Sequence, residues 1–151
     1  MAGFVLAKEH ILEAFSPLAI TDDAAARARF FSDTVAPDVT WHMAGSAHSL
    51  AGTRHSLQAH MDATFNRLGA RLRGPIRFDV TRVVVDAQPD PDGRWWACVE
   101  TRGQATRKPS GKPYNNEYIW LTAWSREGRI VEVRSYFDSM LSEEVLREPV
   151  D

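Results

Sequence analysis

The chain has 151 residues, 44% of them hydrophobic and 25% charged, with a formal net charge of −2. That length suffices for one folded core, and the near-balanced charge gives no electrostatic case for nucleic acid or an acidic membrane. The single cysteine, Cys98, excludes an intrachain disulfide framework, and no apolar run approaches a membrane span.

In chain order, Val5, Leu6, Ile11, Leu12 and Phe15 recur at helical spacing, followed by the stop "SPLA". This predicts a helical extension over about residues 1–20. A second helix is expected over "TDDAAARARFFSDTV", capped by Thr21 or Asp22 and ended by Pro37. In "DVTWHMAG" the residues Val39, Trp41 and Met43 alternate with Thr40 and His42, the pattern of a strand. Glycines then mark turns. Thr53 is the expected cap of a third helix, whose Leu57, Met61, Phe65, Leu68 and Leu72 form an apolar stripe.

After Gly74-Pro75 the period changes to two. Segments 76–87, 94–107, 114–125 and 129–137 read as strands joined by "QPDPDG", "KPSGKP" and "REG", which predicts an antiparallel meander. A short helix, "SMLSEEVLRE", follows. Tyr118, Trp120 and Trp124 share one strand face, while Ile119, Leu121 and Ala123 share the other. Trp95 and Ala97 likewise oppose Trp96 and Cys98. Both faces therefore look apolar, where a sheet with one wet face would show polar residues. Helices can cover one face. A second copy covering the other predicts a homodimer through the outer sheet face.

Three stretches, "DVTWHMAGSAHSLAGTRHSL", "SGKPYNNEYIWLTAW" and "GRIVEVRSYFD", resemble the SnoaL-like, ketosteroid-isomerase-like branch of the nuclear transport factor 2-like superfamily. The resemblance implies a single domain over residues 1–151 with an α+β cone fold, a cystatin-like α+β barrel. In it, N-terminal helices pack in a strongly curved antiparallel sheet. It also implies an apolar pocket in which a carboxylate gains proton affinity and needs no metal or cofactor.

On that resemblance Asp138, at the end of the last strand, is the expected proton carrier. Its plain alternative is the N-cap of the terminal helix. Tyr118 lies on the strand where ketosteroid isomerases place an acid of their oxyanion hole, with Tyr114 and Asn116 as further donors. His42 stands about where those enzymes carry their base, and imidazole suits proton shuttling. Trp41, Trp120, Arg134 and Phe137 complete the expected pocket. The chain departs from the ketosteroid isomerase acid pair. It also has Ser135 where the limonene-epoxide-hydrolase type has an aspartate.

The expected function is cofactor-independent isomerisation, cyclisation or dehydration of a small hydrophobic oxygenated metabolite by a cytoplasmic protein. The alternative is a non-catalytic ligand-binding or dimeric interaction domain. Strict alternation sets Phe137 and Asp138 on opposite faces, so only one of them can enter the pocket.

Overall fold

The computed structural model describes residues 3–150. Two helices open the chain: α1 (Lys8–Phe15) and α2 (Ala24–Arg29). A single-turn 3₁₀ segment (Ser16–Ala19) joins them. The α1 helix is part of the core, since it buries Ile11 and Phe15. Asp23, and not Thr21 or Asp22, caps α2 by accepting the Ala26 amide at 3.0 Å. Helical geometry then widens to a π segment over Phe30–Thr34, which buries Phe30.

Pro37 does not end that helix. It lies exposed inside β1 (Val35–Met43), where pairing with the last strand slips between Val35 and Thr40. A residue without an N–H is tolerated at such an irregularity because no ladder bond is lost. The expected alternation of β1 holds, with Val39, Trp41 and Met43 buried. Thr53 is not a cap either: it sits in β2 (Gly52–Arg54), opposite His42. Ser56 caps α3 (Leu57–Ala63) through the Ala59 amide at 3.0 Å. The predicted third helix breaks at Thr64, and α4 (Phe65–Gly69) follows. Within α3, His60 is fully buried and Met61 only partly so.

The meander is as the turn chemistry predicts: β3 (Arg77–Val85), β4 (Trp95–Thr106), β5 (Pro113–Trp124) and β6 (Ile130–Phe137), each antiparallel to the next. The sheet order is β2-β1-β6-β5-β4-β3, with β1 parallel to β6. Register shifts in β3 and between β5 and β6 curl the sheet. The final helix α5 (Ser139–Arg147) lies against β5 and α4. Among the described residues, no helix is long and apolar enough to cross a membrane.

Inside the curl the side chains are mostly rings. Trp120 has Phe15, Phe78, Trp41 and Phe30 around it at centroid distances of 5.4, 5.4, 5.7 and 6.0 Å. His60 stacks on Trp41 at 3.8 Å and 9°. The polar tips are matched: Trp120 donates to Thr101 Oγ1 and Trp41 to Ser135 Oγ, both at 3.0 Å. The deep part of the expected pocket is therefore filled by the protein itself.

Candidate functional site

Alternation along β5 sends Tyr114, Asn116, Tyr118 and Trp120 inward, and all four are buried. The first three gather where β6 stops and α5 begins. Tyr114 and Tyr118 share a hydroxyl–hydroxyl bond of 2.6 Å, and Tyr114 Oη lies 2.9 Å from Ser142 Oγ on α5. Asn116 Nδ2 is within donating distance of Tyr114 Oη (3.0 Å), the Asp138 carbonyl (3.1 Å) and Ser142 Oγ (3.2 Å). Its Oδ1 accepts the Asp138 amide at 3.2 Å.

Burial pushes the Tyr118 phenol well above its ordinary pKa, and the neighbouring Tyr114 adds to the rise. Burial also raises Tyr114, partly offset by hydrogen bonds from Ser142, Tyr118 and Asn116. Both phenols therefore stay protonated at neutral pH, as hydrogen-bond donors. Space for the Tyr118 ring comes from Gly103 across the β4–β5 pair. A Cβ there would stand 2.9 Å from Ile76 Cγ2, 3.1 Å from Tyr118 Cε1 and 3.2 Å from Phe78 Cε1.

Phe137 stands beside this cluster, stacked on Tyr118 with centroids 5.7 Å apart. His48, from the loop after β1, meets Phe137 edge to face at 5.5 Å. The α5 helix covers the group. Asp138 caps it by accepting the Leu141 amide at 3.1 Å, Ser142 joins the phenols one turn on, and Glu143 accepts from the Ser49 amide (2.7 Å) and hydroxyl. The two Ser49 donors, followed by Arg147, hold the Glu143 carboxyl down at a pKa of about 2.

The structure thus brings Tyr114, Asn116, Tyr118 and Phe137 together and separates the other candidates. Asp138 lies near them through its backbone, but its carboxylate is exposed and engaged in the cap, so the pocket-facing acid expected from the sequence is corrected. Phe137 takes the inward position, as alternation requires of one of the two. His42 lies on the outer face and bonds Thr53 Oγ1 at 2.8 Å, away from the phenols. Arg134 is also outward, 3.8 Å from Glu132. Each stands an odd number of positions along its strand from the inward residues, so pleating sends it to the other side. Trp41 and Trp120 belong to the packed interior and do not line an open pocket.

Ser142, His48 and Gly103 were not singled out from the sequence. Gly103 carried a signal, a glycine inside a strand pattern. Ser142 lies one helical turn beyond the cap, which places it on the Asp138 side of α5. His48 carried none, because only the chain's return after β1 brings it to Phe137.

A SnoaL-like domain profile matches residues 12–133. No curated protein is a significant match. Among solved structures, the chain is similar to a nuclear transport factor 2-like protein from Burkholderia thailandensis E264. The two are 19% identical, with 92% of this chain and 95% of that one covered and a TM-score of 0.65. A protein from Rhodopseudomonas palustris with a provisional isomerase name is 18% identical over 92% and 97% of the two chains, with a TM-score of 0.62. PrhC from Penicillium brasilianum NBRC 6234 is 11% identical over 91% and 83%, with a TM-score of 0.66. At these identities the likeness concerns the fold.

Proposed function

We propose that this chain, which belongs to the SnoaL-like domain family, is a cofactor-independent isomerase-type acid/base catalyst acting on a small apolar molecule with a carbonyl group. The observation that carries this reading is the buried Tyr118–Tyr114–Ser142 hydroxyl chain. Hydroxyl protons rotate, so the chain can run in either direction. Run one way, Tyr118 is its terminal donor and presents a proton to any oxygen placed beside it. In a dry setting such a donor stabilises the charge that develops on a carbonyl oxygen as a neighbouring carbon loses its proton. Asn116 holds Tyr114 from the other side and keeps the donor array fixed before substrate arrives. Admission of substrate would loosen α5, whose Ser142 and Glu143 contacts close this end of the cone.

The test is deuterium wash-in from heavy water, followed by NMR on a panel of unsaturated ketones. The expected result is enzyme-dependent exchange beside the carbonyl, reduced about 100-fold or more by Tyr118→Phe. Ketones that bind without exchanging would sink the reading.

A second reading has its own support. Trp120 and the rings around it occupy the interior of the cone, which suits a ligand-binding or interaction module without turnover. In either case we propose a cytoplasmic homodimer through the outer sheet face. Val84 and Tyr136 are exposed there, and Trp96, Cys98, Ile119 and Leu121 are only half-buried. Sedimentation of the protein and of Leu121→Glu tests this. A wild-type monomer would reject it.

A further inference from the structure

We infer that His48 is the proton acceptor of the site, serving a planar ring taken up in the place of Phe137. The inference rests on the acid/base reading above. His48 Nε2 lies 2.7 Å from the Ala44 carbonyl, an acceptor with no proton of its own, so in the neutral ring Nε2 carries the hydrogen. Nδ1 then bears the lone pair. It is buried and has no hydrogen-bond partner, a costly condition for a polar atom in a folded chain. An imidazole with its tautomer fixed by a backbone carbonyl and its basic nitrogen unengaged is arranged to take up a proton.

The loop that holds it is tied down on every side. Ala51 N donates to the His48 carbonyl, and Arg54 of β2 donates to the carbonyls of Leu50 and Ala51. Arg67 of α4 donates to the Ser49 carbonyl, and Glu143 of α5, itself paired with Arg147, accepts from Ser49. These are the charged groups bonded to the loop around His48. Gly45 completes the seat. Its φ of +101° suits glycine, and a Cβ there would come within 2.9 Å of His48 Nε2.

Phe137 lies between the imidazole and the donor, edge to face with His48 and stacked on Tyr118. For the two to act on one molecule, the Phe137 side chain must swing out and leave its place to the substrate. A flat six-membered cyclic ketone in its place would rest on Tyr118 and meet His48. The chemistry then balances without a co-reactant. The carbon beside the carbonyl gives its proton to Nδ1, and the C–H electrons pass toward the oxygen, which Tyr118 holds by a hydrogen bond. The imidazolium returns the proton to another carbon of the conjugated system.

The experiment is the exchange assay on wild type, His48→Gln and His48→Ala, with cyclohexenones as the probe. The glutamine keeps a donor for the Ala44 carbonyl but has no basic nitrogen. Its exchange rate is expected to fall about 100-fold or more while probe binding, read by tryptophan fluorescence, changes less than threefold. Free imidazole should restore exchange to His48→Ala in proportion to its concentration, which a structural role for His48 would not allow. A wild-type rate in His48→Gln, or no rescue of His48→Ala, overturns the assignment and leaves the acid/base reading intact. No exchange by the wild-type protein overturns both.

Discussion

The two ends of the cone are built from the same alternating strands and differ in how they treat polar atoms. In the deep part, Trp41, Trp120, Phe15, Phe30 and Phe78 pack ring on ring, and each indole N–H has one matched acceptor. At the mouth, Tyr114, Tyr118, Asn116 and Ser142 share hydrogen bonds that can be exchanged, and His48 Nδ1 has none. The contrast teaches where stability and chemistry reside. Ring packing is stabilising and leaves nothing free to react. The hydroxyl array keeps interchangeable donors under a helix that adds polar contacts from Ser142 and Glu143 to the packing of Leu141, Val145 and Leu146.

The largest test of this contrast is Trp120→Ala. Removing the ring at the centre of the aromatic cluster should cost about 3–5 kcal/mol of unfolding free energy, measured by denaturant titration. A loss below about 1 kcal/mol would mean that the deep end is not the stabilising end.

The next uses pH on His60, the titratable member of the deep cluster. Burial, aided by Arg54, lowers its pKa from 6.5 to about 3, so it is neutral in the fold. The unfolded chain binds a proton that the folded one refuses. Its contribution is thus complete above pH 6.5 and is lost as pH falls from 6.5 toward 3. About 3 kcal/mol should disappear between pH 7.5 and pH 4. His60→Leu should flatten most of that slope. Glu143, whose pKa is depressed, adds a loss with the same sign at lower pH, between 4.5 and about 2. An equally steep slope in His60→Leu would break the assignment.

The smallest effect sharpens the reading of the mouth. Asp138→Ala removes the α5 cap and should cost about 1 kcal/mol, whereas Asp138→Asn keeps a capping oxygen and should cost a few tenths. If the carboxylate only caps, Asp138→Asn should also exchange deuterium at close to the wild-type rate. A complete loss of exchange in that variant would return Asp138 to the chemistry and displace His48.

Much of the architecture was legible because it rests on local rules. The period-two runs, the turn sequences and the β1 alternation are properties of neighbouring residues; they placed β3 to β6 within two residues of their observed ends, whereas β1 begins three residues before "DVTWHMAG" and β2 was not foreseen. The caps of α2 and α3 went astray because several residues of the polar runs "TDDA" and "TRHS" compete for one role. In both cases the helix axis, set by packing, chose a later residue: Asp23 and Ser56. Tyr114, Asn116 and Tyr118 share one face by the parity of β5, whereas parity in β6 left open whether Phe137 or Asp138 turns inward. His42 was placed in the pocket against the parity of Trp41, and Arg134 followed Asp138 by alternation, so it turned outward with it.

The sequence by itself determined the strand parity, the turns and hence the curled sheet, since a side chain's face follows from its position in a pleated strand. Only the tertiary structure decided which polar groups share the mouth. Asp138 is drawn into a helix cap because four amides of α5 need an acceptor, and His48 arrives there because β1 runs parallel to β6 and its loop turns over the end of the sheet. The cap is a local contact that the sequence offered as an alternative, whereas the arrival of His48 is not local; together they move the candidate base from the aspartate to the histidine.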